Sequence, residues 1–154
     1  MKINMKLAIG TLLLIIGGCD CKNCEEKRSE LIGEYDFQQI DDYAGSSNHC
    51  DRQHTIGIGQ GGNKCLVAVV GLDGWGITDS LSRVQGKVVA EAAFELLDGQ
   101  FISGAPGPGC SSWRNIMVSG GGERIGNLLR LRLSFSDSAS GYASGEMQYT
   151  YQLR

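Results

Sequence analysis

The chain has 154 residues, of which 14 are basic and 17 acidic, with 23 glycines, two prolines and six cysteines. That length supplies one core of the usual ~100 to 150 residues rather than two domains. The acidic balance excludes a surface built on phosphate contacts, so neither nucleic acid nor an anionic lipid headgroup is expected as a partner.

The first element in the chain does not read as part of a fold. Lys2 and Lys6 precede an apolar run from Leu7 to Ile16, broken only by Gly10 and Thr11. Crossing a bilayer takes about 20 apolar residues, so the run is too short to span one. A basic start, an apolar middle and a small-residue end are the order of a secretory signal, here residues 1–18. Ile16-Gly17-Gly18-Cys19 resembles the lipobox of bacterial lipoproteins, in which an apolar residue and two small ones precede a cysteine that is acylated and becomes the mature N-terminus. The resemblance implies a lipid on Cys19 and a membrane partner reached through acyl chains, each adding ~0.8 kcal/mol per buried CH₂. An ordinary secretory cleavage that leaves Cys19 a plain thiol is the alternative. Loss of residues 1–18 removes two lysines and no acid, leaving 12 basic and 17 acidic residues and a net charge of −5. In lipoproteins of this kind the residues behind the cysteine act as sorting signals. Asp20, Glu25 and Glu26 occupy that stretch, and the outer membrane is favoured over the inner.

Residues 20–30, DCKNCEEKRSE, are charged and lack apolar periodicity, which predicts that 19–30 form a lipidated cysteine and solvated linker ahead of a folded domain of residues 31–154. Cys21 and Cys24 have C-x-x-C spacing. Without two further ligands nearby or a βαβ context, they read as tether thiols that form a local disulfide or remain unpaired, rather than a zinc or redox site.

From Leu31 onward, short alternating segments and tight turns predict an all-β antiparallel meander of about eight strands. EYDFQQI places Tyr35 and Phe37 on one face. HTIGIGQGGNKCLVAVVGL reads as two strands joined by a type I′ turn at Gly61-Gly62, a register that sets Ile58 opposite Cys65. Residues 80–98 are ambiguous. Leu81, Val84, Val88, Ala92 and Leu96 have near-helical spacing, but Gly86 weakens a helix by ~1 kcal/mol relative to Ala, and the stretch also divides into two short strands, the preferred reading. WRNIMVSG offers Trp113, Ile116 and Val118. NLLRLRLSF points Leu129, Leu131, Leu133 and Phe135 inward, and GEMQYTYQLR does the same with Met147, Tyr149, Tyr151 and Leu153.

The order of these segments resembles the small lipocalin-like (calycin-type) lipoproteins of gram-negative envelopes. The lipobox, the opening LIGEYDF, the cysteine in NHCDRQHTIGI, and VSGGGERIGNLLRLRLSF before a last aromatic strand carry the likeness. Lipocalins open with Gly-x-Trp, whereas Gly33 is followed here by Glu34 and Tyr35. The resemblance implies a small up-and-down barrel, filled by side chains or holding one small apolar ligand.

Candidate chemistry is sparse. His49, Cys50 and His54, with Cys65 on the next strand, carry metal-binding groups, but their spacing fits no zinc motif, and no metal or other cofactor is expected. Export favours disulfides. Cys50–Cys65 is the first choice, closing a loop of about 15 residues worth roughly 3 kcal/mol, and Cys50–Cys110 is the second. Asp41 and Asp42 are adjacent and point apart, unlike glycosidase carboxylates. The loop SGAPGPGCSSW lacks a nucleophile elbow, so a non-enzymatic protein is expected, either a binder or, with its barrel filled, a structural, assembly or protective component of the envelope. The aromatics Tyr35, Phe37, Trp75, Phe94, Phe101, Trp113, Phe135, Tyr149 and Tyr151 would line or plug the barrel. Among them Trp75, Trp113, Tyr149 and Tyr151 are the candidate contacts for a small apolar ligand or an envelope protein, with Trp75, between Gly74 and Gly76, placed to serve as a surface anchor.

Overall fold

The computed structural model describes residues 23–44, 54–72, 77, 82–103, 115–136 and 145–154. A short helix, α1 (Cys24–Ser29), precedes β1 (Gly33–Ala44), β2 (Thr55–Gln60), β3 (Leu66–Val70), β4 (Arg83–Ala90), β5 (Ala93–Leu96), β6 (Gln100–Ser103), β7 (Asn115–Ile125), β8 (Leu128–Ser136) and β9 (Gly145–Leu153). Every pairing is antiparallel. Strands adjacent in the chain are adjacent in the sheet except that β5 pairs with β7, and β9 returns to β1. The sheet closes on itself.

Nine strands make eight staves. β5 lies opposite Gly121–Glu123 and β6 opposite Asn115–Val118, along the same edge of β7, so the two form one stave interrupted at 97–99. The Gln100 side chain spans that interruption. Its amide nitrogen donates to the Gln85 and Leu97 carbonyls, and its oxygen accepts from the Gln85 N–H, so the side chain does for β4 what a peptide group does elsewhere in the ladder.

The predicted alternation sets the inward face. Leu129, Leu131, Leu133 and Phe135 on β8, Met147, Tyr149 and Tyr151 on β9, and Ile116 and Val118 on β7 are all buried. They join Tyr35, Ile56, Ile58, Val67, Val69, Val84, Val88, Phe94, Leu96 and Ile102 in one continuous cluster, against which Phe37 and Leu153 pack. Residues 80–98 contain two strands, β4 and β5, joined by a tight turn at Glu91–Ala92 in which Ala92 has φ +55°. A helix there would have turned only one stripe inward; as strands, Val84, Val88, Phe94 and Leu96 all reach the core. Phe101 does not. It sits on the outer face, 51% exposed, opposite Met117.

Three other expectations are corrected. Residues 24–30 are not linker: α1 lies across one end of the barrel, with Cys24 and Arg28 buried. Six residues do not hold a helix alone, although Glu25 and Glu26 in the first turn and Lys27 and Arg28 in the last suit its dipole. Tertiary contacts fix it. Cys24 is bonded to Cys65, Arg28 Nη1 donates to the Asn63 carbonyl, Arg124 Nη1 to the Glu30 carbonyl, and the buried Tyr35 hydroxyl to the Leu31 carbonyl. The partner of Cys65 is therefore Cys24 rather than Cys50, since a sulfur forms one such bond; Cys50 and Cys110 lie outside the described residues. The β2–β3 connection is also longer than expected. Ile58 faces Val69, and a turn through residues 62–65 is closed by Gly61 N–H to Leu66 O and Leu66 N–H to Asn63 O, with neither Gly61 nor Gly62 at positive φ.

Candidate functional site

The sequence candidates are placed unevenly. Cys19, Cys50, Cys110, His49, Trp75 and Trp113 lie outside the described residues. Tyr149 and Tyr151 lie in the core. Tyr149 packs edge-on to Phe135 with ring centroids 6.5 Å apart, and its hydroxyl donates to Met147 Sδ. The Tyr151 hydroxyl is 2.9 Å from His54 Nε2, and Phe37 stacks on that imidazole with ring centroids 5.5 Å apart while meeting the Tyr151 ring edge-on at 5.8 Å. His54 is thus built into the wall by two aromatics. Complete burial, with a lesser contribution from Tyr149, pushes the Tyr151 hydroxyl well above the ordinary tyrosine range. Burial also raises Tyr35, offset in part by the nearby Arg124 guanidinium. Both phenols act as neutral hydrogen-bonding groups. Among the described residues no three His, Cys, Asp or Glu side chains converge as a metal site would require.

On the outer wall, Asp36 gathers charged and polar partners. Arg154 Nε donates to both of its carboxylate oxygens, at 2.8 and 2.9 Å, and the Thr55 hydroxyl donates to Oδ1. These bonds, Arg154 first, hold the Asp36 carboxyl below its usual range. The cluster ties β1 to β2 and to the chain end, which is a structural role.

The open concave feature lies elsewhere on the outside. A groove of about 740 Å³ runs over β5, β7, β8 and β9. Its floor is the run Gly120-Gly121-Gly122, and its walls include Glu95, Glu123, Arg130, Arg132, Ser134, Glu146 and Gln148. The floor is low because side chains do not fit there. Gly120 has φ +114°, and a Cβ on it would run into the Arg132 carbonyl; a Cβ on Gly121 would run into the Phe94 carbonyl. The register sets Arg132 beside Gly121 on β7 and beside Gln148 on β9, and Arg132 Nη2 donates to Gln148 Oε1 at 3.1 Å. The groove thus offers two guanidinium groups in a rim of carboxylates and amides over bare backbone. These groups can hold an extended polar segment by hydrogen bonds and charge. Alternation had already turned Arg130 and Arg132 outward. The glycine run, visible in the sequence as an odd interruption of a strand, was the signal for the floor.

A smaller hollow of about 380 Å³ lies over β2 and β3, where Gly57 and Gly59 leave the outer face bare and Ile77 partly covers it. Comparison with protein families, with curated proteins and with solved structures finds no match.

Proposed function

We propose that the protein is a lipid-anchored, non-enzymatic envelope protein related to the lipocalin-like lipoproteins, and that it binds an extended segment of another envelope protein on the outside of its barrel. The reading of Cys19 as the lipidated residue comes from the lipobox; the kinship draws on that motif and on the eight-stave up-and-down topology. One contrast carries the binding mode. Tyr35, Phe94, Tyr149, Tyr151 and a set of branched aliphatic side chains occupy the inside, while the outer wall is hollowed at Gly120–Gly122 and presents Arg130 and Arg132. A barrel of eight staves is just wide enough for its own side chains or for one ligand, and large aromatics inside favour the former. Recognition then falls to the outer wall.

Photo-crosslinking in the membrane from which the protein comes tests this. A photoreactive side chain at Glu123 or Gln148 should give one discrete protein adduct. The same group at Lys87, on the outer face of β4, should give none, and Arg132→Glu should abolish the adduct. No groove-specific adduct, or a small apolar molecule retained by the purified protein in native mass spectrometry, would overturn the reading.

A further inference from the structure

We infer that the end of the barrel closed by α1 rests against the bilayer, with the tip of the β7–β8 hairpin in contact with lipid. The inference rests on the reading of Cys19 as the anchor. Had residues 19–30 been free linker, the 12 steps from Cys19 to Leu31 would let the barrel float up to about 40 Å from the surface. Stapling of Cys24 to Cys65, together with the Arg28–Asn63 and Arg124–Glu30 hydrogen bonds, makes α1 part of the barrel. Cys24 is five steps from the anchor, so the intervening chain reaches no more than about 18 Å. Strand β7 from Met117 to Ile125 is itself about 26 Å long, so the tether is shorter than the barrel and holds the α1 end near the membrane.

That end also carries apolar side chains that are partly exposed. Ile125 and Leu128 pair across the two-residue turn Gly126-Asn127 and are 52% and 37% exposed. The turn is fixed against the rest of this end, since the Asn127 carbonyl accepts from the Leu153 N–H and the neighbouring Arg124 side chain holds Glu30. A rigid hairpin tip bearing two aliphatic side chains suits the acyl boundary. The charges at this end of the barrel are of both signs, with Arg124 beside the tip and Lys64 on the β2–β3 turn paired with Glu25 at 3.1 Å, so the contact is apolar and independent of headgroup charge. The competing arrangement lays the barrel on its side. That would bring the second exposed apolar pair, Phe101 and Met117, to the lipid as well.

Depth-dependent quenching separates these arrangements. The acylated full-length protein would be placed in phosphatidylcholine vesicles containing brominated acyl chains, with tryptophan introduced as Leu128→Trp or Met117→Trp and the emission of the parent protein, which has Trp75 and Trp113, subtracted. Quenching at position 128 at least twofold greater than at 117 is expected. Equal quenching at both sites, or none at either while the protein still floats with the vesicles, overturns the end-on placement and leaves the anchor standing. Failure to float, with no acyl mass on Cys19, overturns both. Hydrogen exchange on the unsubstituted protein gives a second reading free of folding defects. Amides 125–128 should gain protection on vesicles relative to the soluble Cys19→Ser protein, while amides 115–118 should not.

Discussion

At the residue scale, two buried phenols do different work. The Tyr35 hydroxyl satisfies the Leu31 carbonyl in a buried setting and so ties the end of α1 to the barrel. The Tyr151 hydroxyl meets His54, which is only partly buried. Removing a partner costs most where the group left behind is buried. Tyr35→Phe should therefore lower stability by about 1–3 kcal/mol, and Tyr151→Phe by about 0.5–1.5 kcal/mol, measured by urea unfolding at pH 7. The two phenols also set an alkaline limit. Burial raises both above the ordinary tyrosine value of about 10, so above that pH the unfolded chain loses protons that the folded one keeps. Stability is then full below pH ~10 and falls as pH rises further. With free thiols alkylated, Tyr151→Phe should lose stability less steeply between pH 10 and 11 than the parent. An equal slope in the two proteins would contradict this.

At the scale of elements, the informative one is α1, because its six residues carry no signal beyond end charges that suit a helix dipole. Its sequence is charged and without periodicity, and it is helical because a disulfide and two arginine side chains hold it against the barrel. The partner of Cys65 was equally hidden. Spacing in the chain points to the nearer Cys50, whereas the barrel brings the β2–β3 turn beside residue 24, 41 positions away. Strands fared better. Period-two alternation is a local property, and it placed the inward faces of β8 and β9 correctly down to Leu129 and Tyr151. Closing a loop of that length by Cys24–Cys65 is worth about 4 kcal/mol in the chain-entropy model. Replacing both cysteines by serine should lower the midpoint of chemical unfolding accordingly. It should also release α1 first, seen as faster exchange at the Lys27 and Leu31 amides, which donate to Asn23 and Arg28 carbonyls, while the amides of β8 keep most of their protection. Equal loss at α1 and β8 would mean that the helix is held by the barrel without the bond.

Across the whole molecule, closure depends on two joints that no local pattern encodes. One is β1 with β9, which pairs Tyr35 with Leu153. Such a contact forms only after a long loop is closed, and it makes folding slow. The other is the stave shared by β5 and β6. Residues 80–98 read as two strands, β4 and β5, and β6 was not foreseen; nothing local shows that β5 and β6 lie on one edge of β7 or that a glutamine amide fills the gap between them. The groove belongs to the same region, since Gly121 gives Phe94 of β5 its close approach. Gln100 therefore serves both closure and the shape of the outer wall. Gln100→Ala leaves the Gln85 N–H and C=O in a part-buried position with one partner fewer each. A loss of about 1–3 kcal/mol is expected, with faster exchange at the Gln85 amide. Gln148→Ala removes an exposed hydrogen bond on the outer wall and should change stability by no more than about 0.5 kcal/mol. If the two substitutions cost the same, or if the Gln85 amide exchanges as before, the side chain is not what closes the barrel. The seam must then be held by the three pairs between β5 and β7, Ala93–Glu123, Phe94–Gly122 and Glu95–Gly121.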